Sequence, residues 1–142
     1  MSHITAGTMK ILDLDALKAA GDRLGFEFME GQQNYRWYEY WVGDYPNNTG
    51  RDVADFGKCQ HALKIKGNDM AYEIGIVPAL DGQGFELLYD FYDGSIERLA
   101  GVGLEFLHNE YMAEVSTREL TAEGYMVTRT IQDGQIILTA NA

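Results

Sequence analysis

Between Ala71 and Gly94, apolar and polar positions alternate with a period of two, which sends successive side chains to opposite faces of a strand. Tyr72, Ile74 and Ile76 fall on one side and Glu73, Gly75 and Val77 on the other, until Pro78 removes a backbone donor and ends the run. Asp81, Gly82, Gln83 and Gly84 are turn residues. Phe85, Leu87, Tyr89 and Phe91 then resume the alternation opposite Glu86, Leu88, Asp90 and Tyr92. The pattern predicts a central antiparallel hairpin. Leu88 and Tyr92 interrupt a clean apolar-in, polar-out order, so the second strand is expected inside a sheet, covered on both faces, with helices packed on it.

The flanking chain alternates between the strand period and the helix period. Ile4 to Leu12 reads as a first strand weakened by Gly7. Asp13 is a good N-cap for a helix over Leu14 to Leu24, and Gly25 stands where a left-handed residue would end it. Phe26 and Phe28 mark a second strand that can return beside the first. In KCQHALKIK, Cys59, His61, Leu63 and Ile65 would share one face of a strand and Lys58, Gln60, Ala62, Lys64 and Lys66 the other. Ser95 opens a short turn with Ile96 and Leu99, and Gly101 and Gly103 interrupt it. Leu104, Leu107, Tyr111 and Val115 then form one apolar face of a longer helix that stops at Glu123-Gly124. Tyr125, Val127, Arg129 and Ile131 alternate in a strand that Arg129 places near a sheet edge. Asp133-Gly134 is a two-residue hairpin signal, and Ile136 to Thr139 returns. The expected fold class is α+β: an antiparallel sheet of about six to seven strands with two main helices packed on one face.

Composition narrows the class further. At 142 residues the chain has the size of one domain, residues 1–142, and needs no disulfide or metal to fold. Its single cysteine, Cys59, cannot close an internal disulfide, and no signal-like or membrane-spanning apolar run occurs, so a cytoplasmic protein is expected. A net charge of −11 opposes the phosphate contacts that dominate nucleic-acid affinity, so direct nucleic-acid binding is not expected. The carboxylates are scattered, as on an ordinary solvated surface, rather than gathered in a DNA-like run.

Candidate chemistry concentrates in two places. The segment NYRWYEYWVGDYP is the richest in aromatic residues: Tyr35, Trp37, Glu39 and Trp41 would point one way and Arg36, Tyr38, Tyr40 and Val42 the other. It is either a strand packed on both faces or a platform for a planar ligand or a protein partner. The turn-rich stretch from Gly43 to Gly57 follows it, with Tyr45 and Arg51. Tyr35, Arg36, Trp37, Tyr38, Trp41, Tyr45 and Arg51 are therefore the candidate ligand-binding residues, with Arg36, Arg51 and Lys58 available to neutralise a phosphate.

Cys59 and His61 are the second place. Two residues apart on one strand, they could serve a structural role, form a nucleophile–base pair, or supply two ligands to zinc, with His3, His108 or Asp90 as further ligands. No other cofactor is predicted. Asp90 and Asp93 gather with Tyr89 and Tyr92 at the end of the central hairpin, either as acid–base chemistry or as turn and cap chemistry with Asp90 satisfied by backbone donors. Two function classes follow. One is a binding protein that holds a host protein or sequesters a nucleotide-like planar ligand; the other is a small metal-dependent or cysteine hydrolase centred on Cys59 and His61. Two aromatic faces and exposed strand edges make a homodimer a third expectation.

Several motifs together resemble a domain-of-unknown-function family shared by bacteriophages and by cyanobacterial and plastid genomes. They are Met1-Ser2-His3 with the Asp13-to-Gly25 helix, Tyr72-Glu73-Ile74-Gly75, Gly84-Phe85-Glu86-Leu87 with Asp90-Phe91, and Glu123-Gly124-Tyr125 before Gln132-Asp133-Gly134. The stretch from Arg36 through His61 is similar to the phage branch. The resemblance implies a small phage-type accessory protein in the host cytoplasm and brings no catalytic residue with it.

Overall fold

The computed structural model describes residues 3–41, 43 and 46–142. Met1, Ser2, Val42, Asp44 and Tyr45, including the candidate ligand-binding Tyr45, lie outside the described residues. Among the described residues, seven strands and two main helices form an α+β fold. β1 (Ile4–Ala6), β2 (Phe26–Met29), β3 (His61–Ile65), β4 (Ile74–Pro78) and β5 (Phe85–Asp90) make one antiparallel sheet in the order β1-β5-β4-β3-β2. β6 (Met126–Gln132) and β7 (Gln135–Asn141) pair as a separate hairpin. α1 (Leu14–Leu24) and α3 (Glu105–Ala122) pack against each other on one face of the sheet, and the short α2 (Ser95–Ala100) leads into α3.

Local chemistry sets the element ends. Asp13 caps α1 by accepting the Ala16 N–H at 3.0 Å, and Gly25 at φ 97° closes it in the left-handed conformation that a Cβ disfavours. Asp133 and Gly134, at φ 52° and 77°, give the β6–β7 turn the two positive φ angles of a type I′ turn, whose twist matches its strands.

Two expectations about the first strands are corrected. β1 stops at Ala6, and Ile11 makes only an isolated bridge to Phe85, because Gly7 and the bend after it break the run. β2 does not return beside β1: it pairs with β3, so α1 carries the chain from one edge of the sheet to the other.

The central hairpin is interior, and β4 and β5 are buried on both faces. Ile74, Ile76, Leu87 and Tyr89 meet Leu17, Ile96, Leu104, Leu107 and Tyr111 in the helix-side core. On the opposite face Ile4, Ala62, Val77 and Leu88 form a cluster that holds no residue of α1, α2 or α3 among the described residues. The segment from Tyr35 to Cys59 covers them with Tyr35, Trp37, Trp41, Phe56 and Cys59. Burying apolar surface on both sides of a sheet requires a second layer, and here irregular chain supplies it.

Candidate functional site

Among its described residues the aromatic segment forms no strand, and only the bridge between Asn34 and Lys58 has sheet-like pairing. Its facing follows the expected alternation except at Glu39, which is exposed at φ 70° rather than turned inward. Tyr35 is buried and Trp37 and Trp41 are half-buried against the sheet, while Arg36, Tyr38 and Tyr40 are exposed. The indoles of Trp37 and Trp41 meet the Phe56 ring at 5.9 and 5.3 Å with steep interplanar angles, so they serve the internal packing of the cover. Burial pushes the Tyr35 phenol up to about 12.

Polar residues on the covered face of β5 and beside β4 hold this strap. At one end the Asp90 carboxylate, fully buried, accepts the backbone N–H of His3 at 3.0 Å, of Tyr38 at 3.1 Å and of Tyr92 at 3.0 Å. At the other end the Arg51 guanidinium pairs with Glu86 at 2.7 Å and donates to the Pro78 carbonyl at 2.6 Å. Between them Glu73 accepts the Arg36 N–H at 2.8 Å. Arg51 is thus engaged with the protein's own groups rather than open to a phosphate.

Around Asp90 lies a surface patch of tyrosines. Tyr38 and Tyr92 are both about half exposed, with ring centroids 6.0 Å apart, and the His3 ring stands edge-on to Tyr92 at 5.4 Å. Tyr72 joins them: burial pushes its hydroxyl up to about 12, and the charges of Asp90 and Asp93 act in the same sense. Tyr40, more exposed still, follows in the same strap. The parts of this patch were visible in sequence as the aromatic segment and as the Asp90–Tyr92 cluster. Their juxtaposition was not, because it is made by the hydrogen bond from the Tyr38 N–H to the Asp90 carboxylate, between residues 52 apart in the chain.

Cys59 and His61 both line an open cleft of about 560 Å³ with Gly31, Gln33, Asn34 and Gln60. They do not share a strand face as expected, because Cys59 precedes β3. Cys59 packs into the aromatic cover, while His61 packs its ring at 5.4 Å from Phe28 and 5.9 Å from Phe85 on the helix side. Each has its own partner: the Cys59 thiol donates to the Gln32 carbonyl at 3.1 Å, and His61 Nδ1 accepts the Gly31 N–H at 2.9 Å. Burial, reinforced by the Glu73 charge, pushes the Cys59 thiol up to about 12, which keeps it protonated and a weak nucleophile at neutral pH. Among the described residues no three His, Cys, Asp or Glu side chains converge to hold a metal ion, so zinc on this pair would draw its other ligands from elsewhere. His3 lies in the tyrosine patch, and His108 on α3 is buried beside Gly7.

The chain matches no family model, and no curated protein or solved structure matches it. No helix among the described residues is long and apolar enough to cross a membrane. The site's own chemistry is therefore what bears on function.

Proposed function

We propose that this chain is a non-enzymatic binding protein that holds a partner protein against the patch of Tyr38, Tyr72 and Tyr92. The observation that carries this reading is the anchoring of Asp90, whose three backbone hydrogen bonds fix the N-terminal strand, the aromatic strap and the Tyr92 turn relative to one another. Tyrosines presented on a rigid base lose little conformational entropy on binding and offer both an apolar ring and a polar tip, which is why such residues dominate protein contact sites. A net charge of −11 favours a partner with a basic surface and would speed their encounter at low salt. Sequestration of a nucleotide has less support, since Arg51 is spent on Glu86 and both tryptophans are turned into the cover. Likeness to the phage branch would make the partner a host protein.

The test is capture of partners from a lysate of the source cells by the wild type and by a Tyr38→Ser, Tyr92→Ser double variant with an unchanged unfolding midpoint. The expected result is a protein retained by the wild type and lost by the variant. Equal retention by both overturns the reading, as does a nucleotide in the native mass spectrum of the freshly isolated wild type.

A further inference from the structure

The outer edge of β7 is unprotected. Gln135–Asn141 carries no charged side chain, in a chain of net charge −11, and it includes the β-branched Ile136, Ile137 and Thr139. Gln132 opposes Gln135 across the type I′ turn and so begins the hydrogen-bonded pairs; alternation then turns the backbone groups of Ile136, Leu138 and Ala140 away from β6. No backbone group among the described residues pairs with that edge. The usual safeguards of an exposed edge, a lysine, a proline or a bulge, are missing from this strand. Beside the edge runs a cleft of about 430 Å³ between β7 and α3, lined by Asn109, Met112, Ala113, Ser116, Ile136 and Leu138.

We propose that a second copy of this chain occupies the edge, its β7 antiparallel to the first about a two-fold axis at Leu138, so that the two hairpins form one four-stranded sheet. The segment is complementary to itself. Leu138 opposes Leu138 of the partner subunit and Ile136 opposes Ala140 of the partner subunit, each pair exchanging the backbone hydrogen bonds now unmade. On the other face Ile137 meets Thr139 of the partner subunit, so no like charges come together. The charge-free strand is thus a place where two copies of a strongly acidic chain can approach without carboxylates facing one another. Side chains of the added strand fall over the cleft and cover Met112, which is half exposed in the single copy.

Sedimentation equilibrium across the micromolar range tests this, with wild type compared with Ala140→Pro. The proline removes one outward N–H and leaves the β6–β7 ladder intact. The wild type is expected to dimerise, and the variant to weaken the dimer about a hundredfold. A monomeric wild type overturns the proposal, as does a folded variant that dimerises equally well. Should Ala140→Pro unfold, a Cys59→Ala, Leu138→Cys variant decides. Oxidation cross-links two copies through residue 138 if the register is right, and failure to cross-link overturns it.

Discussion

The ring of Tyr35 occupies the space that a side chain on Gly75 would fill. A Cβ built on Gly75 would stand 2.2 to 2.8 Å from three carbon atoms of that ring, so the strap reaches β4 only because that position is glycine. Gly75→Ala must push the ring and its strap away, and overpacking of this kind is expected to cost about 1–3 kcal/mol in urea unfolding. Tyr35→Ala should cost about 3–5 kcal/mol through the cavity it leaves. Because both substitutions act on one contact, the double variant should lose less than the sum. Tyr35→Phe should be nearly neutral, since the buried hydroxyl completes no hydrogen bond even though the Gly57 N–H lies close by.

Asp90→Asn keeps the shape and removes the charge that three backbone N–H groups share. The amide turns its own N–H₂ toward at least one of these donors, leaving it unpaired in a buried site. A loss of about 2–3 kcal/mol in chemical denaturation is expected. Amide exchange at Tyr38 and Tyr92 should accelerate in the same variant, and unchanged exchange there would mean that Asp90 does not organise the patch.

These elements also show what sequence carries and what it does not. α1, α3 and both hairpins were legible because their signals are local: Asp13 and Gly25 bound α1, Glu123-Gly124 ends α3, and Asp133-Gly134 turns the last hairpin. About six to seven strands were countable, but their division into sheets of five and two was not, since nothing local says that β2 pairs with β3 rather than with β1. The aromatic segment displayed its two faces, but a strand and a platform both remained open, because alternation is the same for a strand and for a strap that finds its partners through side chains. Cys59 and His61 were placed together by counting back from Leu63, a count that fails once the chain leaves β3.

Arg51 ties the turn-rich loop to the sheet through Glu86 and the Pro78 carbonyl, with only 10% of its side chain exposed. Arg51→Ala strands both partners and is expected to cost about 1–3 kcal/mol. Arg51→Lys should recover only part of this, because an ammonium cannot reproduce the planar fork. Hydrogen exchange over residues 47–53 should rise in both variants while α1 is unaffected.

His108 adds a pH dependence to folding. Its ring is buried on α3, Nε2 makes no hydrogen bond, and burial alone lowers its pKa from the ordinary 6.5. Above pH 6.5 the imidazole is neutral in both states and nothing is lost. As pH falls through 6.5, the unfolded chain takes up a proton that the folded chain resists, so stability declines until the folded value is reached. The wild type should therefore lose more stability than His108→Gln between pH 7.5 and 5.5, and parallel curves for the two would show that the imidazole is not the titrating group.

The raised thiol of Cys59 separates the binding reading from the hydrolase reading by a chemical measurement. A catalytic cysteine is a thiolate near neutral pH and alkylates quickly, whereas a thiol held near 12 by burial is almost wholly protonated and further shielded by its bond to the Gln32 carbonyl. Iodoacetamide at pH 7.5 should modify the folded protein at least about a hundredfold more slowly than the urea-unfolded chain, followed by intact mass. The half-exposed side chain makes this a test of thiolate character as well as of access, so the rate should climb steeply as pH is raised toward 10. Fast, pH-independent alkylation of the folded protein would identify a stabilised thiolate and return Cys59 and His61 to the centre of the function.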